Sequence, residues 1–256
     1  MWYLSTRNEK IRKTPAEAIL KGIADDGGLY MPECFCSAKF PMDSLTEMSG
    51  KEISAKVLSL LFSGDSMFPE AEDKAEAFLG AVKRGYDGKF DDEDYAPLAK
   101  VGNAFVMELY HGPTCAFKDV ALQLLPQLVA EAKRATGMKD EIVILTATSG
   151  DTGSAALSGF SDVDGTKIIV FYPKHGISAV QERQMVSCKG KNTCVVAVEG
   201  NLPSSLTTNH SSALVYSTRS RVSVYGTGAL PVLLSRFSWQ QAYILYQIGP
   251  KTALYY

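Results

Sequence analysis

Apolar residues recur three and four apart in some stretches of this chain and run unbroken in others, and the two patterns divide it into zones. Thr14-Pro15 followed by Glu17 predicts a helix start with Pro at the first position. That helix carries Ala18, Ile19 and Ile23 and stops at Asp25-Asp26-Gly27-Gly28. A second helix is predicted over residues 52–62, with Ile53, Val57, Leu60 and Leu61 on one face. A third is predicted over 70–84, through Ala71, Ala75, Phe78, Leu79 and Val82. The acidic run Asp91-Asp92-Glu93-Asp94 reads as a solvated boundary loop. Residues 1–95 therefore form a first, mostly helical region.

From 96 to 200 the pattern alternates strand and helix. Residues 104–109 are a short apolar run fit for a buried strand. Residues 117–136 have helical periodicity through Val120, Leu124, Leu128, Val129 and Ala132, with Lys133-Arg134 and Gly137 at the end. Pro126 falls inside that run and predicts a kink or break near Leu125. Strands follow at 142–147, 167–172 and 193–198, and helices at 152–160 and 178–187. Such repeats imply an α/β domain, its parallel strands joined by right-handed crossovers with helices on both faces.

After Gly200 the character changes. All 28 acidic residues lie in the first 199 positions and none in 201–256, where about eight would be expected at the earlier frequency. Ser and Thr are dense instead, and periodicity is poor until Ala229. A Ser/Thr-rich linker would account for part of this. An out-of-frame translation accounts for all of it, and residues 201–256 are expected to be an aberrant tail that adds no coherent layer to the domain.

Composition narrows the function class. A net charge of -2 and a pI of about 6.0 give no reason to expect nucleic acid or an acidic membrane surface as partner. The first residues lack the layout of a secretory signal, and no stretch approaches the ~20 apolar residues of a membrane span. Five cysteines, no CxxC pair and three histidines argue against a disulfide framework and against a metal site. Cys34-x-Cys36 is open to two readings, a metal pair or free thiols, of which thiols in a reducing cytoplasm are favoured.

Two segments carry chemistry. In His111-Gly112-Pro113-Thr114-Cys115-Ala116-Phe117-Lys118-Asp119 a lysine opens a helix. The positive end of the helix dipole disfavours its charged form, and burial would add to that, leaving an amine able to condense with an aldehyde. A surface lysine followed by a capping Asp is the plainer reading. In Thr146-Ala147-Thr148-Ser149-Gly150-Asp151-Thr152-Gly153-Ser154 a tight turn leads into a helix whose first N–H groups could hold a carboxylate or phosphate. Ordinary capping by Ser149 or Asp151 is again the plainer reading. Neither GxxxxGK[ST] nor GxGxxG is present.

Taken together, HGPTxAFKD and TSGDTGSAA, about 30 residues apart, resemble the threonine synthase family of fold-type-II pyridoxal-phosphate enzymes. Ser5-Thr6-Arg7, Asp26-Gly27-Gly28-Leu29-Tyr30-Met31-Pro32-Glu33, Pro173-Lys174, Gln181-Glu182-Arg183-Gln184-Met185 and Val198-Glu199-Gly200-Asn201 extend the resemblance over about residues 1–201. It implies pyridoxal 5'-phosphate as cofactor and the conversion of O-phospho-L-homoserine and water to L-threonine and phosphate. Lys118 matches the Schiff-base lysine and would shuttle protons once released. Ser149, Gly150, Asp151 and Thr152 match the loop beside the cofactor ring that holds the substrate carboxylate.

The family's later Asn-Ser-x-Asn segment, its Gly-rich loop gripping the cofactor phosphate and its partner for the pyridine nitrogen are not recognisable here. Gly226-Thr227-Gly228, the nearest candidate, lacks flanking elements. Impaired activity is therefore expected. Two alternatives stay open: a catalytically dead fragment acting at most as a binding module, and a related lyase acting on a phosphorylated amino alcohol or on serine or threonine.

Overall fold

The computed structural model describes residues 1–34, 45–62 and 67–198, together with the backbone of two short strands at 243–247 and 253–255. The out-of-frame reading of the tail and the Gly226–Gly228 candidate lie outside the described residues, those two strands excepted.

Among the described residues the N-terminal region pairs three short strands with three helices. β1 (Tyr3–Ser5) runs antiparallel to both β2 (Arg12–Lys13) and β3 (Tyr30–Pro32). α1 (Pro15–Lys21) begins where the sequence predicts it. Thr14 Oγ1 accepts from the Glu17 N–H at 3.3 Å, and the Glu17 carboxylate accepts from the Thr14 N–H at 3.0 Å. It ends one turn early, at Gly22 with φ 71°, so Ile23 leaves the helix and bridges to Leu29. Beyond lie α2 (Gly50–Leu61) and α3 (Lys74–Tyr86). Ser49 and Glu52 form a second capping box at the head of α2, and Asp73 caps α3.

The segment 104–109 corrects the expectation of a buried strand in the main sheet. β4 (Leu98–Val101) and β5 (Ala104–Met107) form a separate antiparallel hairpin around Gly102-Asn103, with Gly102 at φ 60°. Its apolar side chains face outward: Phe105 is 68% exposed and Leu98 61%. Two turn-forming residues between apolar runs are a hairpin signal, so the two runs pair with each other rather than joining the sheet.

The main sheet has the order β10-β9-β6-β7-β8. β6 (Ile142–Ala147), β7 (Thr166–Pro173) and β8 (Thr193–Val198) are parallel, in the register Ile142↔Thr166 and Ile168↔Thr193. The crossover from β6 to β7 is α5 (Asp151–Phe160), and that from β7 to β8 is α6 (Ala179–Val186). α4 (Lys118–Thr136) precedes β6. The free edge of β6 is taken by β9 (Tyr243–Gln247), antiparallel, and β9 in turn pairs with β10 (Ala253–Tyr255). An unpaired edge of backbone N–H and C=O groups recruits an extended chain within reach; apart from these two segments, the expectation that residues 201–256 add no coherent layer to the domain lies outside the described residues.

One continuous core joins the regions. Ile19 and Leu20 of α1, Phe78 and Val82 of α3, Leu122 and Val129 of α4, Leu157 and Phe160 of α5, and Ile144, Ile168 and Val170 of the sheet belong to it. Each such side chain contributes about 1.5–3 kcal/mol by leaving water. A smaller cluster around Ala147 and Phe171 occupies the other side of the strands.

α4 is the central helix. α3 approaches it at Gly85, where an added Cβ would lie 3.0 Å from the Gln123 carbonyl oxygen, and α5 approaches it at Gly159, where a Cβ would overlap the Leu122 carbonyl. Pro126 does not break the helix, which runs uninterrupted from Lys118 to Thr136. Lacking an N–H, Pro126 leaves the carbonyl four residues earlier without its helical donor, and that carbonyl is the one on which Gly159 packs.

Candidate active site

The lysine loop is set by three local devices. At its start, His111 lies between two carboxylates, with Nδ1 2.6 Å from Asp91 and Nε2 2.9 Å from Glu108. Both acids favour the imidazolium, Glu108 most, and they raise the His111 pKa above its ordinary value despite opposing desolvation. The Asp91 N–H also donates to the His111 carbonyl at 3.0 Å. The acidic run 91–94 is thus solvated, as expected, and is also tied to the loop through Asp91.

Next, Gly112 packs on Asp119, where a Cβ would come within 2.6 Å of the carboxylate oxygen. Asp119 is fully buried and accepts from the Thr114 N–H and the Thr114 hydroxyl, both at 2.8 Å. Burial pushes its pKa up, and the Thr114 bonds pull it back down. Finally, Cys115 takes a left-handed φ of 57°, and the chain enters α4 at Lys118. The sequence-predicted lysine is the first residue of the helix, half-buried, with Nζ 4.4 Å from the centre of the Phe117 ring.

The second segment forms a turn between β6 and α5. Thr148 donates its N–H to the Phe171 carbonyl on β7 at 2.9 Å, fastening the turn to the sheet. Its hydroxyl oxygen accepts from the N–H groups of Gly150 and Gly153, both at 3.0 Å. Gly150 sits at φ 141°, a conformation that favours glycine. Of the predicted residues, Ser149 and Asp151 are exposed, whereas Gly150 and Thr152 are buried. Gly153 is closed in by Thr148, Val170 and Met185.

The connection between the two segments runs through α6. Ser178 and Gln181 form its capping box: Gln181 Oε1 accepts from the Ser178 N–H at 3.1 Å and from its hydroxyl at 3.0 Å. The Gln181 Nε2 then donates to Asp151 at 2.5 Å, and the same amide lies against Gly150. One turn on, Gln184 Nε2 donates to the Thr114 carbonyl of the lysine loop at 3.2 Å. Glu182 accepts from the Tyr172 hydroxyl at 2.8 Å, and buried Met185 anchors the inner face. Gln181 and Gln184 stand in a stretch that carries the family resemblance, with no role legible in the sequence. The helix they belong to is predicted at 178–187 and Ser178-x-x-Gln181 is its capping signal, but neither reveals its contacts.

Among the described residues no group of three or more His, Cys, Asp or Glu could hold a metal ion, and no helix is long and apolar enough to cross a membrane.

Most of the chain is similar to known proteins. A family model described as threonine synthase N terminus matches residues 2–75. A threonine synthase of Pseudomonas aeruginosa is 37% identical over 205 residues, covering 78% of this chain and 41% of the relative. One of Schizosaccharomyces pombe is 34% identical over 208 residues, covering 77% of this chain and 39% of the relative. Among solved structures, PLP-bound threonine synthase from Brucella melitensis superposes with a TM-score of 0.69 at 36% identity, over 80% of this chain and 43% of that one. Over roughly four fifths of its length the chain belongs to the threonine synthase family, and it spans about two fifths of the length of the relatives it matches.

Proposed function

We propose that this chain carries the lysine and the anion-binding turn of a pyridoxal 5'-phosphate enzyme that converts O-phospho-L-homoserine and water to L-threonine and phosphate. The observation that carries the reading is the shared seat on α6. Thr114 of the loop that leads into Lys118, the first residue of a 19-residue helix, and Asp151 of the turn at the head of α5 are both held by the same short helix. The residues suit the cofactor. A half-buried primary amine opens a helix beside an aromatic ring, and a second helix presents its N-terminus behind a glycine turn.

In this reading Lys118 holds the cofactor covalently, and the Brucella relative is a PLP-bound protein. Ser149, Gly150, Asp151 and Thr152 lie beside it and hold the substrate carboxylate through the turn and the helix N-terminus. When bound, the cofactor supplies an electron sink for carbanions. Lys118 carries protons to and from the substrate carbons. The buried Asp119–Thr114 pair fixes where the helix, and hence the lysine, begins.

Borohydride reduction of the protein mixed with pyridoxal phosphate, followed by peptide mapping, tests the assignment. The pyridoxyl label is expected on Lys118. Labelling of Lys174 or Lys189 with none on Lys118 would overturn it.

A further inference from the structure

We infer that Gln181 is a positioning residue of the site: its amide, oriented by the N-cap of α6, holds Asp151 and Gly150 of the turn in place. The inference rests on the functional reading above for its purpose, but on geometry alone for its contacts. A glutamine amide has one acceptor end and one donor end. The Ser178 N–H and hydroxyl both engage the Gln181 oxygen, which leaves the NH2 group as the only end available to face Asp151. The helix cap therefore decides the polarity of a contact 30 residues away. The same amide fills the space a Cβ at position 150 would occupy, so the glycine turn and Gln181 fit only each other. Gln184, three residues on and on the same helix face, grips the Thr114 carbonyl. α6 thereby sets the spacing between the turn and the lysine loop with two glutamines.

The discriminating variant is Gln181→Glu. Glutamate at this position keeps the capping box, since its carboxylate accepts from Ser178 as the amide oxygen does. It loses the donor to Asp151 and places a second carboxylate against the first. Hydrogen exchange of the cofactor-free protein, corrected for the intrinsic effect of pH, is read on peptides covering 148–154, 179–186 and 111–117. In Q181E, exchange in 148–154 is expected to rise at least about tenfold, the scale of a lost hydrogen bond to a charged group, while 179–186 stays unchanged.

The double variant Q181E/D151N restores the bond with donor and acceptor exchanged, and is expected to bring exchange back to within about threefold of the parent. Gln184→Leu should instead loosen 111–117. Wild-type exchange in Q181E, or no recovery in the double variant, overturns the inference. Absence of a Lys118 label in the parent protein overturns the functional reading instead, so the two failures are told apart.

Discussion

Replacing Gly159 by Ala puts a methyl group where α5 crosses α4. The new Cβ would overlap the Leu122 carbonyl oxygen, lie 2.9 Å from its carbon and 3.5 Å from the Gln123 nitrogen. Carbon contacts are comfortable at about 3.5–4.0 Å, so the helices must part by roughly 1 Å. α4 cannot simply retreat, because α3 backs it at Gly85, where an added Cβ would lie 3.3 Å from the Leu124 Cα. Overpacking of this kind costs about 3 kcal/mol, and the better helix propensity of Ala returns about 1. A net loss of about 2 kcal/mol follows, or a urea midpoint lower by about 1 M for an m-value of about 2 kcal/mol/M. Gly80 supplies the control: a Cβ there meets only the Arg84 guanidinium at 3.5 Å. Gly80→Ala should therefore gain about 0.5–1 kcal/mol. The same substitution in two helices is expected to act with opposite sign in urea unfolding followed by far-ultraviolet circular dichroism. A G159A midpoint at or above the parent's, with an unchanged m-value, would refute the close-contact argument.

Two further predictions concern the lysine loop. Asp119→Ala leaves the Thr114 N–H without its acceptor and should destabilise by about 1–3 kcal/mol. Asp119→Asn should lose less, because its oxygen can accept from that N–H while its NH2 donates to the Thr114 hydroxyl; equal losses in urea would contradict the pairing. His111 predicts a pH dependence. Its folded pKa is raised, by Glu108 first and then by Asp91 with help from Asp92, so the clamp stabilises fully below the unfolded histidine value. That contribution is lost as pH rises through the folded value. The stability gap between the parent and His111→Gln should therefore be widest near about pH 5.5 and narrow on the alkaline side. A gap that widens with rising pH would show the sign to be wrong. Glu108, its own pKa lowered by His111, closes the window from the acid side.

Elements that carry their own punctuation were legible along the chain. β6 and β8 are apolar runs closed by turn residues, and their bounds follow from them. α1 is announced by Thr14, Pro15 and Glu17, all within one turn. Segments whose state depends on a distant partner were not. Strand β1 is three residues long and acquires its identity only from its partners β2 and β3, the second of them some 25 residues on. Residues 104–107 have the composition of a buried strand, yet the Gly102-Asn103 turn folds them onto 98–101, and composition does not say which pairing wins. Asp91 is solvated as expected, but its pairing with His111 was not legible, because that partner stands 20 residues away.

The site divides along the same line. Lys118 and the glycine turn could be named because each is a short segment whose chemistry is local: an amine at a helix start, and a turn of small residues at another. What joins them could not, because each joining residue is also accounted for locally. Gln181 satisfies the pattern of a helix cap, and nothing in that pattern reveals that its other end reaches Asp151. Pro126 is the sharper case. Read along the chain, it is a helix breaker; in the fold, the carbonyl it leaves without a donor is Leu122, and α5 closes on that carbonyl through Gly159. A residue that weakens its own helix thus sits where a neighbouring helix can approach most closely. That approach brings α5, and with it the turn, onto the helix that begins with Lys118.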